Sequence, residues 1–144
     1  MARIDLLRSL PKPVRNIDKR RDAKDPAVIA VAKQYGEMYW DGPREYGYGG
    51  YRYDGRWRPV ARNIVDHYQL GTGMRVLDIG CGKGFLLFDF LKIIPDAEVY
   101  GIDISEYAIE NCKEEVQDRL QVGNATRLPW MDNTFDLVIS INTF

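Results

Sequence analysis

From Met74 to its end the chain alternates short apolar runs with helix-length stretches, and this alternation restricts the fold more than any other feature. RVLDIG at 75–80 and EVYGIDI at 98–104 read as strands, and KGFLLFDFLKII at 83–94 lies between them as a helix that Pro95 stops. Ser105 is placed to cap a second helix through EYAIENCKEEVQ. RLQVG at 119–123 gives a short third strand and FDLVISI at 135–141 a fourth. Strands separated by helices of this length join by right-handed crossovers into a parallel sheet with helices on both faces. The expected class is therefore α/β. In the fourth run Phe135, Leu137, Val138, Ile139 and Ile141 give the near-continuous apolar pattern of a strand buried on both sides.

The first half reads differently. Residues 1–25 hold Pro11, Pro13 and mixed charges, the pattern of a basic leader with at most a helical turn. Residues 26–73 are expected to form an N-terminal helical cap. In it DPAVIAVAKQYGEMYW at 25–40 is one helix, with Asp25 as cap and Pro26 at its first position. WRPVARNIVDHYQL at 57–70 is another, ended by Gly71 and Gly73. Between them DGPREYGYGGYRYDGRW holds four of the nine tyrosines and five of the thirteen glycines, an aromatic loop. It has three readings: a packed cap, a lid whose tyrosine faces attract a cation, or a base-stacking platform helped by Arg52, Arg56 and Arg58.

The net charge of −1 conceals an asymmetry: residues 1–62 carry 14 Lys and Arg against 8 Asp and Glu, and the rest 6 against 13. A basic head could meet an acidic partner, but it could equally pack on the chain's own acidic half, and KRRDAK at 19–24 is too short for a polybasic tract. The composition has no membrane-length apolar stretch and no signal-like leader, which reads as a cytoplasmic chain. Cys81 and Cys112 stand apart with no Cys/His cluster, so no metal site is expected. The lone His67 falls on a helix as a structural or exposed residue.

VLDIGCGKGF at 76–85 sets Gly80, Gly82 and Gly84 in the turn between the first strand and its helix, where backbone can approach a ligand closely. A Walker loop is excluded, because Lys83 is followed by Gly84 rather than Ser or Thr and Leu77 stands where its first glycine belongs. A dinucleotide fingerprint is excluded as well, since Phe85 occupies its third small position. Asp103 ends the second strand 19 residues after Gly84, placed to accept from ribose hydroxyls. A nucleoside without phosphates fits this pattern.

VLDIGCGKG, VYGIDIS and VGNATRLPWMDNTFDLV together resemble, in order and in register, the class I S-adenosylmethionine-dependent methyltransferases, especially the broad type 11-like group acting on small molecules. The resemblance covers about half the chain. It implies a Rossmann-like methyltransferase fold whose strand order is 3-2-1-4-5-7-6, incomplete here at the C-terminus, with residues 74–144 as its cofactor half. It further implies that Gly80, Cys81 and Gly82 wrap the methionine and ribose, that Asp78 lies near the ammonium, and that Asp103 takes the ribose hydroxyls. Ile104 would lie on the adenine face. Asn124 stands where the family has an aspartate for the adenine amine, followed by Ala125, and its amide oxygen can accept the same bond. Trp130 reads as packing.

Methyl transfer needs alignment and exclusion of water more than a strong base. Ligands lie beyond the carboxyl ends of parallel strands, so Asn142 is the candidate polar contact near the reacting groups, with Thr143 and Phe144 beside it. The expected function is methylation of a small-molecule acceptor, with S-adenosylhomocysteine as product. The alternatives are an aminopropyl transferase using the same nucleoside and a non-catalytic interaction module. Nucleic acid and membrane are not expected partners. The fourth strand is expected to expose its outer edge and to support a homodimer through it.

Overall fold

The computed structural model describes residues 2–12 and 25–143. KRRDAK and Phe144 lie outside them. Two compact units form, the described parts of 11–52 and, separately, residues 2–10 with 53–143.

In the first unit the single helix expected over 25–40 is two: α1, Pro26–Ala32, and α2, Glu37–Trp40. Asp25 Oδ1 caps α1 by accepting from the Ala27 N–H at 2.8 Å. Tyr35 then takes a left-handed φ of 50° and breaks the helix before Gly36. The break lets the Trp40 indole N–H donate to the Tyr35 carbonyl at 3.0 Å. Trp40 is buried, with Tyr48 stacked on it at 5.2 Å and Tyr51 tilted against it at 5.2 Å. Asp41 Oδ1 accepts from the Tyr51 N–H at 2.9 Å and closes the loop. Tyr39, Tyr48 and Tyr51 pack on one another and on Trp40, with Tyr35 edge-on to Tyr39, an arrangement aromatic rings favour on their own account.

The second unit is built on a parallel sheet of β1 (Arg75–Ile79), β2 (Glu98–Asp103), β3 (Leu120–Val122) and β4 (Leu137–Ser140). Its order is β3-β2-β1-β4, the first four positions of the expected arrangement. Strand alternation divides β1: Val76 joins the core under α3 (Arg58–Tyr68) and α4 (Phe85–Ile93), while Leu77 and Ile79 pack with Ile102, Tyr100, Trp130 and Phe135. Val60, Ala61, Ile64 and Val65 of α3 meet Leu86, Leu87 and Phe90 of α4 in one cluster.

Three local expectations are corrected. Helix α3 and the N-terminal residues belong with the sheet, not with a separate cap or leader: Leu6, Leu7 and Leu10 pack on the α3–α4 core, and Asn63 donates to the Leu6 carbonyl at 3.3 Å and to Ser9 Oγ at 3.0 Å. Helix α3 ends on Gln69 in the left-handed conformation, before either glycine is reached. The helix expected after Ser105 is short. It forms α5, Glu106–Glu110, and then a 3-10 turn, Glu114–Arg119, because the Lys113 N–H bonds out to the Lys83 carbonyl at 2.9 Å.

Helix α4 is apolar on nearly every side, and Tyr53 packs on its outer face. Tyr53 sets its ring edge-on to Phe85 at 5.6 Å and Phe88 at 5.1 Å, and its hydroxyl donates to Asp89 Oδ1 at 2.5 Å. Asp89 is fully buried, and among the described residues its Oδ2 has no hydrogen-bond partner. Burial pushes this carboxyl up, opposed first by the Tyr53 bond and then by the charge of Arg58 at 4.0 Å. Tyr53→Phe is therefore expected to cost about 1–3 kcal/mol, with the loss growing as pH rises and Asp89 ionises without its donor. Urea unfolding at two pH values measures it, and an unchanged midpoint would mean the hydroxyl contributes nothing.

Strand β4 pairs with β1 on one side, and among the described residues no strand pairs with its other edge. The edge is not bare: a groove of about 540 Å³ runs along it, lined by Ile4, Leu6 and Leu7 as well as Leu137, Ile139 and Ile141. Val138, which also lines this groove, is 51% exposed. Among the described residues no helix is long and apolar enough to cross a membrane.

Candidate functional site

The carboxyl ends of β1 and β2 carry the two carboxyl groups singled out in the sequence. Asp103 is buried, and both its oxygens are used: Oδ2 accepts from the Gly82 N–H at 2.8 Å and Oδ1 from the Ser105 N–H at 2.9 Å. It thus ties the glycine loop to the start of α5, where Ser105 Oγ accepts from the Ala108 N–H at 3.0 Å. Each oxygen keeps a further lone pair for a ligand hydroxyl.

The loop turns its own donors inward. The N–H groups of Gly80 and Cys81 both point to the Ile102 carbonyl, at 2.8 and 3.2 Å, and that of Gly84 to the Cys81 carbonyl at 3.0 Å. A phosphate-cradling loop presents such groups outward, so this one is not built for an anion. Gly80 has a φ of 79° and Gly84 one of 75°, the left-handed region that favours glycine. A side chain at Gly80 would also strike Thr143, whose Oγ1 donates to the Ile79 carbonyl at 3.1 Å. The end of β4 is in this way brought against the glycine loop. Asn142, exposed and with a φ of 58°, makes the turn that delivers Thr143.

Asp78 is 5% exposed, and no hydrogen bond reaches its side chain among the described residues. Burial first and the neighbouring Asp103 charge second push its carboxyl up to about 8. Cys81 is buried with its Sγ beneath the loop, next to where a side chain on Gly101 would fall, and burial pushes its thiol well up. Only its backbone is available to a ligand.

On the far side of the loop Ile104 is 59% exposed, an apolar surface next to Asp103. Ala125 and Trp130 pack on the Leu77, Ile79 and Ile102 cluster, and Trp130 lies edge-on to Phe135 at 5.2 Å. Asn124 is exposed, and its Oδ1 accepts from both the N–H and the hydroxyl of Thr126, at 2.9 Å each. Both acceptor positions of that amide oxygen are taken in this conformation, and an outside donor would displace the Thr126 hydroxyl. Sequence reasoning missed Thr126, whose only signal was its position two residues after an Asx-turn former. His67 is exposed and sits edge-on to Tyr68 at 4.7 Å. Arg56 is bound to Asp54 at 2.7 Å and Arg58 lies by Tyr53 at 3.3 Å, so two of the three arginines of the base-platform reading are engaged locally.

The arrangement is a glycine turn with two buried carboxyl groups and a flanking apolar surface, suited to a cation carrying a nucleoside. Comparison with known proteins gives the same direction. A family model described as a methyltransferase domain matches residues 70–144. The chain is similar to the demethylmenaquinone methyltransferase of Symbiobacterium thermophilum, 39% identical over 57% of this chain and 36% of that protein. It is 31% identical to the erythromycin 3''-O-methyltransferase of Saccharopolyspora erythraea over 74% of this chain and 41% of the relative. The chain therefore spans about two fifths or less of these relatives' length. A crystal structure of a candidate S-adenosyl-L-methionine-dependent methyltransferase from Methanococcus maripaludis superposes with a TM-score of 0.53 at 20% identity, covering 92% of this chain and 54% of that one, which shows the shared fold.

Proposed function

The chain belongs to the methyltransferase-domain family through residues 70–144, and from that premise we propose that it binds S-adenosylmethionine and serves methylation of a small-molecule acceptor. The observation that carries the reading is the pair of buried carboxyl groups, Asp78 and Asp103, at the ends of adjacent strands around a loop whose N–H groups face inward. Such a site attracts a cation and repels phosphate.

When bound, S-adenosylmethionine supplies a methyl group on a sulfonium, already activated for displacement. Asp103 would accept from the ribose hydroxyls with the lone pairs it does not spend on Gly82 and Ser105. The backbone of Gly80, Cys81 and Gly82 would lie along the ligand, with Asp78 toward its cationic end. Ile104 and Ala125 would cover the base, and Asn124 would exchange the Thr126 hydroxyl for the base's amine. Asn142 would hold a polar group near the reacting atoms, where Thr143 keeps the turn seated on Gly80. Relatives named for acceptors as different as demethylmenaquinone and erythromycin support a small-molecule acceptor as a class without selecting one.

Calorimetric titration with S-adenosylmethionine and S-adenosylhomocysteine tests the reading. Heat from both is expected, and no heat from either would end it. Tighter binding of the decarboxylated cofactor would favour aminopropyl transfer instead.

The outer edge of β4 supports a second proposal, a homodimer in which two copies pair these edges into one sheet. The unpaired edge and the exposed Val138 support it. Light scattering is expected to show mass rising with concentration from 16.6 kDa toward twice that value, and Val138→Lys is expected to hold the chain monomeric. A monomer throughout would refute the pairing.

A further inference from the structure

Two carboxyl groups share the buried rim of the site, and only one of them is provided for. Asp103 receives two backbone N–H groups, at 2.8 and 2.9 Å. Asp78, one strand away and 5% exposed, receives none among the described residues. The elements around it bring no positive group to its side. Adjacent β2 brings Asp103. The glycine loop brings the Cys81 thiol and Lys83, whose ammonium lies over the Tyr107 ring at 5.7 Å. Helix α4 brings Asp89, held by Tyr53. Residues 137–143, from β4 to Thr143, contain no titratable side chain. Of these groups Asp103 is the one whose charge acts on Asp78. A second buried carboxylate beside the first, with neither donor nor cation, is a state proteins avoid by keeping the proton.

We propose that Asp78 stands protonated in the free chain and surrenders its proton when the cationic end of the ligand arrives, so that ligand binding and proton release are one event. The O–H bond of Asp78 breaks, its proton passes to the buffer, and the carboxylate left behind pairs with the ligand's positive charge. The site then holds two carboxylates and one cation where it held one carboxylate and one acid. This rests on the reading of the site as one for S-adenosylmethionine. It adds that the site's selectivity for a cation is enforced by a proton: a neutral nucleoside gives Asp78 nothing to ionise for.

The test is calorimetry of the full chain with S-adenosylmethionine between pH 5.5 and 7, where an α-amino group remains charged, in buffers of different ionisation enthalpy. The expected result is close to one proton released per ligand bound, with affinity rising about tenfold per pH unit, the limit for one linked proton. 5′-Methylthioadenosine, which lacks both the sulfonium and the amino acid, is expected to bind with no proton release. Asp78→Asn, which mimics the neutral acid in shape, is expected to bind S-adenosylmethionine weakly and with no linked proton. Binding of S-adenosylmethionine with a pH-independent affinity and no proton released would overturn the proposal while leaving the cofactor reading intact. Proton release on binding 5′-methylthioadenosine would overturn it too, because the trigger would not be the cation. Absence of binding by any of these nucleosides would instead remove the cofactor reading itself.

Discussion

Asp78→Asn is expected to make the chain more stable at pH 8, and the advantage is expected to shrink steadily as the pH is lowered toward 4. The sign follows from proton linkage. In the unfolded chain the carboxyl has its ordinary value of 3.8, and in the fold burial and the Asp103 charge raise it to about 8. Between those values the native state holds a proton that the unfolded state has lost, so stability falls as pH rises through the window. Below 3.8 both states are protonated and the residue contributes nothing; above 8 the full penalty is present. A displacement of this size corresponds to on the order of 5 kcal/mol at the alkaline end and about half of that at pH 6. Asparagine carries no charge at any of these pH values and removes the slope. Asp89, whose carboxyl is also pushed up by burial, leaves a pH dependence of the same sign in the variant. Thermal melts of both proteins from pH 4 to 8.5 measure the difference. A melting temperature for the variant below that of the unaltered chain at pH 8 would show that Asp78 stabilises the fold through a contact of its own. The same substitution is expected to weaken ligand binding, the opposite sign to its effect on stability.

Asp103→Ala has the opposite character, losing stability and binding together. The carboxylate holds the Gly82 and Ser105 N–H groups, and hydrogen bonds to a charged acceptor contribute about 1.5–3 kcal/mol each. Removing both leaves the Gly82 N–H buried without a partner and releases the glycine loop from the start of α5. The expected loss of stability is on the order of 3–5 kcal/mol, read as a fall in the urea midpoint. Binding of S-adenosylmethionine is expected to weaken by at least about 100-fold, since the ribose would lose two acceptors. Asp103→Asn separates the two roles. Its one oxygen can keep Gly82 or Ser105 but not both, and its NH₂ cannot accept at all, so an intermediate midpoint is expected. If the alanine variant unfolds at the same urea concentration as the unaltered chain, Asp103 does not organise the loop. If it binds with undiminished affinity, the ribose lies elsewhere.

Much of the sheet was legible because its determinants are local and repeated. Strands β1 and β2 are apolar runs that each lead into a helix, and α4 and α5 begin at a glycine and a serine that the pattern marks. The places where the reading failed were those where a distant partner overrode a local preference. The stretch after Ser105 has the periodicity of one long helix, yet the Lys113 N–H turns aside to the Lys83 carbonyl. The stretch before Trp40 is helical by composition, yet Tyr35 turns left-handed and its carbonyl receives the indole N–H. Tyr53 and Asp89 lie 36 residues apart, and no pattern in either segment announces their bond. The two parts of the chain were also divided in the wrong place. Apolar spacing shows that residues 58–68 have a buried face but not which surface buries it.

The sequence by itself determined the class of fold, the parallel sense of the strands and which loop and acids stand at the carboxyl ends of β1 and β2, because glycine spacing and strand ends are written in consecutive residues. Only the tertiary structure decided how those acids differ. Asp78 and Asp103 are the same residue type at the ends of neighbouring strands. One receives two backbone donors and the other receives none, and that difference comes from the path of the Gly82 loop and the entry to α5, which no single segment encodes.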